Sequence, residues 1–256
     1  MPKTVEVLPD KAALIQRALD LVLAKINAAL QQQGQCTIAL SGGSTPKPLY
    51  EAIAVQQLPW KDIHVFWGDE RYVPSDHPDS NQNMARQAWL DRVDIPSDNI
   101  HPIPTDANQP ATAAQQYEQQ IKKFFKTPQG SFPSLDIILL GMGDDGHTAS
   151  LFPYTEALQV SEQLVTVGNK DGQPRLTFTA SLINQARCVI FIVSGAGKQA
   201  AIAKVFASPG IHQGIDRPED LDNAYPARLI HPQGELWWLL DEAAGQHLNI
   251  LQTDTP

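Results

Sequence analysis

The chain has 256 residues, of which 42% are hydrophobic and 18% are charged, so it can bury the core of a globular protein and is not expected to be disordered. Its formal net charge of −9 argues against a nucleic-acid partner, because phosphate backbones are held by clustered Lys and Arg side chains. The N-terminal sequence lacks a basic region followed by an apolar signal segment, and no apolar run is long enough to cross a membrane, which predicts a cytoplasmic protein without a membrane partner.

The first predicted element is an amphipathic helix over residues 11–31. Its apolar side chains recur three and four residues apart, and Asp10 stands where a helix cap is expected. After it, short β-rich apolar runs alternate with helical patterns. The strongest strand candidates are 36–40, 62–67, 135–140 and 188–193, and the helical patterns between and after them cover 84–90, 117–125 and 200–206.

Strands separated by helices predict an α/β fold with an open, doubly wound, mostly parallel sheet and helices on both faces, as in Rossmann-like proteins. Shorter apolar runs at 164–168, 176–179 and 235–240 predict additional strands, some of which could be antiparallel. No internal repeat or long linker interrupts the chain. Residues 1–256 are therefore expected to form a single domain.

Each of the four strongest strands runs into a polar segment that contains glycine. The segments are SGGSTP at 41–46, GDER at 68–71, GMGDDGH at 141–147 and SGAGK at 194–198. Glycine after a strand is ordinary turn chemistry when it occurs alone. In an open α/β sheet, however, the carboxyl ends of parallel strands lie at one edge, and ligands bind in the crevice outside that edge. We therefore expect the four segments to meet around one site.

The glycines of residues 141–146 have the G-x-G-x-x-G spacing of a dinucleotide-binding turn, but the residues around them argue against that function. Pro153 leaves room for barely two helical turns after the third glycine. Glu162 lies near the distance expected for the ribose-binding acid, but it precedes an apolar run instead of following one. Asp144 and Asp145 would also place carboxylates where a pyrophosphate should bind.

Two of these segments carry groups that suit chemistry on an anionic ligand. His147 follows a strand and a carboxylate, and the ordinary pKa of histidine, about 6.5, suits proton transfer near neutral pH. Gly42, Gly43, Ser44 and Thr45 should present backbone N–H groups and hydroxyls at the start of a helix, which favours a phosphate. Plainer alternatives are a loop histidine bonded to backbone and an ordinary helix cap.

Charged residues beside the same turns are further candidates. Arg71, Arg175 and Lys198 could supply the local positive charge that an anion needs in an acidic protein, or each could be a solvated surface charge. Asp69 and Glu70 could act as a base, orient Arg71, or serve as structural hydrogen-bond acceptors. No group of His, Cys and carboxylate residues has the spacing of metal ligands, so no metal is expected.

In order and spacing, the polar segments resemble the signatures of the 6-phosphogluconolactonase family, within the wider group that includes glucosamine-6-phosphate deaminase. The matching stretches are LSGGSTP at 40–46, GDERYVP at 68–74, SNQNMA at 80–85, GMGDDGHTASLFP at 141–153, PR at 174–175 and SGAGK at 194–198. The resemblance implies hydrolysis of 6-phospho-D-glucono-1,5-lactone in the oxidative pentose phosphate pathway, without a metal or an organic cofactor. The single domain would then be catalytic.

The resemblance also implies a role for each candidate residue. His147 would be the general base that activates water against the lactone carbonyl, with Asp145 shaping that site. Arg71, supported by Asp69, would stabilise or position the developing oxyanion. The groups implied to hold the phosphate are Gly42, Gly43, Ser44, Thr45, Arg175 and Lys198.

Two other functions fit parts of the pattern. An aldose–ketose isomerase or deaminase of the same fold uses a glutamate at the position that matches Phe152, and a phenyl ring cannot transfer a proton. A non-catalytic sugar-phosphate sensor usually carries a DNA-binding module, whereas only about 35 residues without a helix-turn-helix pattern precede the first strong strand. The sequence sets no oligomeric state, and both a monomer and a small homo-oligomer fit it.

Overall fold

The computed structural model of the chain describes residues 3–207, 218–246 and 248. Ten β-strands lie within these residues: β1 (Lys3–Leu8), β2 (Cys36–Leu40), β3 (Ile63–Trp67), β4 (Asp69–Arg71), β5 (Ile100–His101), β6 (Ile137–Leu140), β7 (Val165–Lys170), β8 (Gln173–Phe178), β9 (Cys188–Val193) and β10 (Glu235–Asp241). The same residues contain eight α-helices: α1 (Lys11–Gln33), α2 (Lys47–Ile53), α3 (Asn81–Ala88), α4 (Pro110–Phe125), α5 (Ala180–Ile183), α6 (Gln199–Val205), α7 (Pro218–Ala224) and α8 (Glu242–Gly245).

The main sheet has seven strands in the order β1-β10-β9-β6-β2-β3-β5, and every neighbouring pair is parallel. All residues of β2, β6 and β9 are buried, as expected for parallel strands that are covered on both faces. After β2, the chain adds β3 and then β5 on one side of β2. It then adds β6 and β9 on the other side. The predicted α/β sheet is therefore confirmed, and its order reverses between β2 and β6, where ligands bind in such folds.

A second, three-stranded antiparallel sheet has the order β4-β8-β7. The predicted strands at 164–168 and 176–179 are confirmed as β7 and β8. The predicted strand at 235–240 is β10, which joins the main sheet as a parallel strand. The small sheet is tied to the main one at Gly68, whose N–H donates to Leu40 O at 2.9 Å and whose carbonyl accepts from Phe178 N at 2.7 Å.

Helix α1 follows directly from its sequence. The carboxylate of Asp10 accepts a hydrogen bond from Ala13 N at 2.8 Å, which satisfies one of the free N–H groups at the helix start. The helix ends at Gly34, which has a φ of 76° and donates to Leu30 O at 3.0 Å. Its apolar face packs into the core, so that Leu14, for example, is fully buried. The predicted helix and its cap are confirmed.

Candidate active site

The four polar segments surround one cavity of about 290 Å³. They follow β9, β6, β2 and β3, which are consecutive neighbours in the main sheet, so the expected convergence is confirmed. The cavity lies at the small end of the range found for ligand pockets. The predicted site residues that line it are Gly42, Gly43, Ser44, Thr45, Asp69, Arg71, His147, Arg175 and Lys198. Asp145 lines an adjoining cavity instead and contacts His147 from there.

His147 and Asp145 form a close pair. Nδ1 of the imidazole lies 2.5 Å from Asp145 Oδ1, and the backbone N–H of His147 donates to the same oxygen at 3.1 Å. Although partial burial raises the pKa of Asp145, its hydrogen bonds with His147 and the charge of that residue lower it to about 2. The carboxylate is therefore ionised at neutral pH. Because it holds Nδ1, it leaves Nε2 as the ring nitrogen that can exchange a proton with another molecule.

The glycines around this pair make room for it. A Cβ on Gly143 would lie 2.1 Å from His147 Nδ1 and 2.5 Å from Asp145 Oδ1. Gly146 has a φ of 80°, which a residue with a side chain rarely adopts, and a Cβ there would meet Tyr225 Cδ1 at 2.7 Å. No α-helix follows Gly146 in the described residues up to Thr179. The glycines with G-x-G-x-x-G spacing therefore make room for the turn that holds His147 and Asp145. They do not form a dinucleotide site, as the sequence already indicated.

The loop after β2 leaves its hydroxyl groups free of the helix that follows. No side-chain hydrogen bond caps α2, so Ser44 and Thr45 do not serve as its cap, and that alternative is wrong. The loop is instead fixed at its start, where the phenolic OH of Tyr50 accepts from Ser41 N at 3.0 Å and donates to Ser41 O at 2.7 Å. This arrangement keeps both hydroxyl-bearing residues at the cavity wall.

Glu70 has a structural position. Its carboxylate accepts hydrogen bonds from the backbone N–H groups of Arg71, Asn81 and Gln82 at 2.7–2.8 Å, and from the hydroxyl of Ser80 at 3.0 Å. The side chain is buried and does not line the cavity. Of the three roles left open by the sequence, Glu70 therefore fulfils that of a structural acceptor, which joins β4 to the start of α3.

Asp69 does line the cavity, and its Oδ2 accepts from Ser150 Oγ at 2.8 Å. Burial raises the pKa of Asp69, while the hydrogen bond from Ser150 and the nearby positive charges oppose that increase. The guanidinium of Arg71 donates to the backbone carbonyl of Asp79, and no ion pair joins it to Asp69 in the described residues. The positive charge of Arg71 thus favours the ionised form of Asp69 without a direct contact between the two side chains.

The candidate cations come from both sheets. Arg71 and Arg175 are directly opposed across the β4–β8 pair, so two guanidinium groups start from neighbouring backbone positions. Lys198 lies on the other side of the cavity, beyond β9, where its Nζ is 2.5 Å from Asp144 Oδ1. The basic residues therefore flank the cavity on two sides, as an anionic ligand would require.

Lys170 and Asn81 also line the cavity, although neither was predicted as a site residue from the sequence. Nζ of Lys170 lies 5.7 Å from the ring centroid of Phe152, at the boundary with the adjoining cavity. Asn81 is buried, and its Nδ2 donates to Asp69 O at 2.9 Å. A Cβ on Gly42 would lie 1.8 Å from Asn81 Oδ1, so this asparagine packs directly against the loop after β2. The motif at 80–85 contains Asn81 and could have indicated it. Lys170 lies in the hairpin formed by β7 and β8, where no sequence motif indicates a site residue.

Two other kinds of feature do not occur in the described residues. Within 3–207, 218–246 and 248, no three or more His, Cys, Asp or Glu side chains form a group that could hold a metal ion. In the same ranges, no helix combines the length and the apolar character needed to cross a membrane.

The chain is similar to known proteins over nearly its whole length. Residues 9–238 match the family model of glucosamine-6-phosphate isomerases/6-phosphogluconolactonase. The 6-phosphogluconolactonase of Nostoc sp. is 64% identical over 250 residues, which cover 98% of this chain and 100% of the relative, and that of Mycobacterium tuberculosis is 37% identical over 254 residues, which cover 96% and 99%. The structure of 6-phosphogluconolactonase from Trypanosoma cruzi is similar at a TM-score of 0.81 and 30% identity, covering 96% of this chain and 97% of that one. The chain therefore belongs to the glucosamine-6-phosphate isomerase/6-phosphogluconolactonase family.

Proposed function

We propose that the chain is a carboxylic ester hydrolase that converts 6-phospho-D-glucono-1,5-lactone to 6-phosphogluconate in the oxidative pentose phosphate pathway. The full-length relatives named 6-phosphogluconolactonase support this reaction. The observation that carries it is the juxtaposition, in one cavity, of the carboxylate-held His147 with Arg71, Arg175 and Lys198. One part of such a cavity can activate water while another holds an anion.

In the proposed mechanism, Nε2 of His147 takes a proton from a water molecule as its oxygen attacks C1 of the lactone. The carbonyl oxygen becomes an oxyanion, which Arg71 stabilises. The bond between C1 and the ring oxygen then breaks, and the imidazolium returns its proton to that oxygen as the new hydroxyl group. A positioned base contributes about 10²- to 10⁴-fold in rate, and one oxyanion donor contributes about 10²- to 10³-fold.

The phosphate would bind at the polar loop after β2 and at the cations on either side of it. Gly42, Gly43, Ser44 and Thr45 offer backbone N–H groups and hydroxyls there, and the two hydroxyls are not used to cap α2. Arg175 and Lys198 would supply the positive charge. Binding the remote phosphate orients the lactone ring, so that C1 meets the water held by the base.

An isomerase or deaminase function is the second candidate, and Phe152 argues against it. By the resemblance, enzymes of that kind use a glutamate at this position to move a proton. Here the phenyl ring lies 4.5 Å from the imidazole of His147, centroid to centroid. It fills the space beside the base with carbon atoms that cannot carry a proton. A lactonase needs a single base, so it does not require a glutamate at the position of Phe152.

Both sheets contribute to the cavity, which supports the proposal that residues 1–256 act as one catalytic domain. Arg175 lies in β8 of the small sheet, and His147 lies in the turn that follows β6 of the main sheet. We expect the enzyme to work in the cytoplasm, on a small phosphorylated substrate and without a nucleic-acid partner. Cell fractionation with an antibody against the chain would test the location.

The reaction is tested with freshly generated 6-phospho-D-glucono-1,5-lactone. Acid release at constant pH should be much faster with the enzyme than in buffer alone, and His147→Ala should remove most of the difference. Ammonia release from glucosamine 6-phosphate, measured in parallel, should stay at background. Tight sugar-phosphate binding without either activity would overturn the proposal in favour of a sensor.

A further inference from the structure

The turn between β6 and His147 contains two adjacent carboxylates with different partners. Asp145 holds the imidazole of His147, whereas Asp144 turns to the other side and lies 2.5 Å from Nζ of Lys198. The side chain of Asp144 is 73% exposed and that of Lys198 is 25% exposed. The ion pair therefore stands at the rim of the cavity, with the ammonium group on its inner side.

The backbone that carries Lys198 is fixed independently of this ion pair. The buried carboxylate of Asp241, at the end of β10, accepts hydrogen bonds from Ser194 Oγ and from Gly195 N, the latter at 3.0 Å. The same carboxylate caps α8 through Ala244 N at 2.8 Å. Because Asp241 positions the 194–198 segment, Asp144 is not required to bring Lys198 to the cavity.

Among the cations that line the cavity in the described residues, Lys198 alone forms an ion pair with a carboxylate. Arg71 donates to a backbone carbonyl, and Lys170 lies over the ring of Phe152. A phosphate monoester carries nearly two negative charges at neutral pH. When Lys198 contacts such a group, the carboxylate of Asp144 remains within a few ångströms and repels it.

We propose that Asp144 competes with the substrate phosphate for Lys198 and so limits the affinity of the site for anions. This inference rests on the proposed function, because it takes Lys198 as part of the phosphate clamp. The effect would matter most after hydrolysis, since ring opening converts the uncharged lactone group into a carboxylate. The product then carries one more negative charge than the substrate, and the competing carboxylate favours its release.

The test compares the affinities of wild-type enzyme and Asp144→Asn for inorganic phosphate and for 6-phosphogluconate, measured by calorimetry at low ionic strength. The variant should bind both anions about two- to fivefold more tightly, the range expected for one exposed charge pair. The gain should shrink as salt is added. Asp91→Asn is the matched control, because Asp91 is also an exposed carboxylate in an ion pair, with Arg86 at 3.1 Å. It should leave both affinities unchanged.

A second pair of variants tests whether Asp144 acts through Lys198. In a Lys198→Met background, Asp144→Asn should no longer tighten binding. An unchanged or weakened affinity in Asp144→Asn, or an equal gain with and without Lys198, would overturn the inference. If wild-type enzyme hydrolyses the lactone while these affinities fail to shift, only the inference falls. If it neither hydrolyses the lactone nor binds the anions, the proposed function falls as well.

Discussion

At the scale of single residues, His147 and Lys198 stand at different parts of one cavity and are held by different carboxylates. Asp145 holds Nδ1 of His147, and in the proposed mechanism this contact orients the imidazole as the base. Lys198 has Asp144 as its partner, and in the proposed mechanism it contributes charge only. The two residues should therefore serve separate parts of the reaction.

Substitutions at these two positions should affect different kinetic constants. His147→Ala removes the base, so we expect kcat to fall about 10²- to 10⁴-fold with little change in KM. Lys198→Ala removes a charge that binds substrate and transition state alike, so it should chiefly raise KM. Initial rates of acid release over a range of lactone concentrations measure both constants, with Lys61→Ala as an exposed lysine control. Similar effects of the two substitutions on kcat and KM would contradict this division.

At the scale of secondary-structure elements, the turn after β6 is built around the histidine–carboxylate pair. Gly143 N donates to His147 O at 2.9 Å, and Gly146 N donates to Gly143 O at 3.1 Å, so the turn closes on itself. The pair packs directly over the α-carbon of Gly143. The position of the His147 imidazole thus depends on the absence of a side chain at Gly143.

Gly143→Ala should lower activity without unfolding the protein. The added methyl group would lie 2.1 Å from His147 Nδ1, and the two side chains can escape it only by moving away from their present positions. We expect a loss of kcat approaching that of His147→Ala, with a melting temperature close to wild type. Gly68→Ala is the control, since its Cβ would meet Leu40 O at an ordinary 3.6 Å. Full activity in Gly143→Ala would contradict the proposed role of the pair.

Elements with a clear apolar pattern followed from the sequence, and elements without one did not. The strands β2, β6 and β9 and the helix α1 lie within a few residues of their predicted bounds. β4 was not predicted, because its three residues, Asp69, Glu70 and Arg71, are all charged. It is a strand only because it pairs with β8. β1 was also missed, although Val5 and Val7 alternate with polar residues, since six residues before a strong helix give little signal.

At the scale of the whole molecule, stability at mildly acidic pH should depend on two neighbouring histidines, one buried and one partly buried, that do not line the cavity. His101 Nε2 lies 3.2 Å from His64 Nδ1, and the ring of His101 stacks on Phe66 at 4.4 Å. Burial, together with the nearby His64, lowers the pKa of His101 to about 4, although Asp98 opposes the shift. Burial also lowers the pKa of His64, against the opposing charge of Asp62.

The free energy of unfolding should therefore fall as the pH drops from about 6.5 towards 4. In this window the unfolded chain binds a proton at His101 and the folded chain does not, so protonation favours unfolding. The contribution is on the order of 3 kcal/mol at neutral pH. Urea unfolding at several pH values should give a flatter profile for His101→Leu than for wild type. His77→Gln, at an exposed histidine, should keep the wild-type slope. Identical slopes in all three proteins would refute the prediction.

The candidate site was predictable in part because its motifs are local. Each strand end with its polar turn can be read from a few consecutive residues, and strands that are parallel must put those turns at one edge. His147 and Lys198 could be found in this way. Lys170 could not, because a hairpin between two short strands gives no indication of which side chain reaches the cavity. Glu70 could not be assigned either, since its acceptor role depends on α3 packing beside it.

The sequence by itself determined the alternation of strands and helices, the order of the elements and the residues at each strand end, because periodicity and turn chemistry are properties of neighbouring residues. Only the tertiary structure decided which group each side chain meets. Asp144 and Asp145 are adjacent and chemically identical, yet one pairs with Lys198 and the other with His147. The second contact closes within one turn, but the contact between Asp144 and Lys198 depends on strand order and register, which join segments far apart in the chain and are fixed only when the whole core packs.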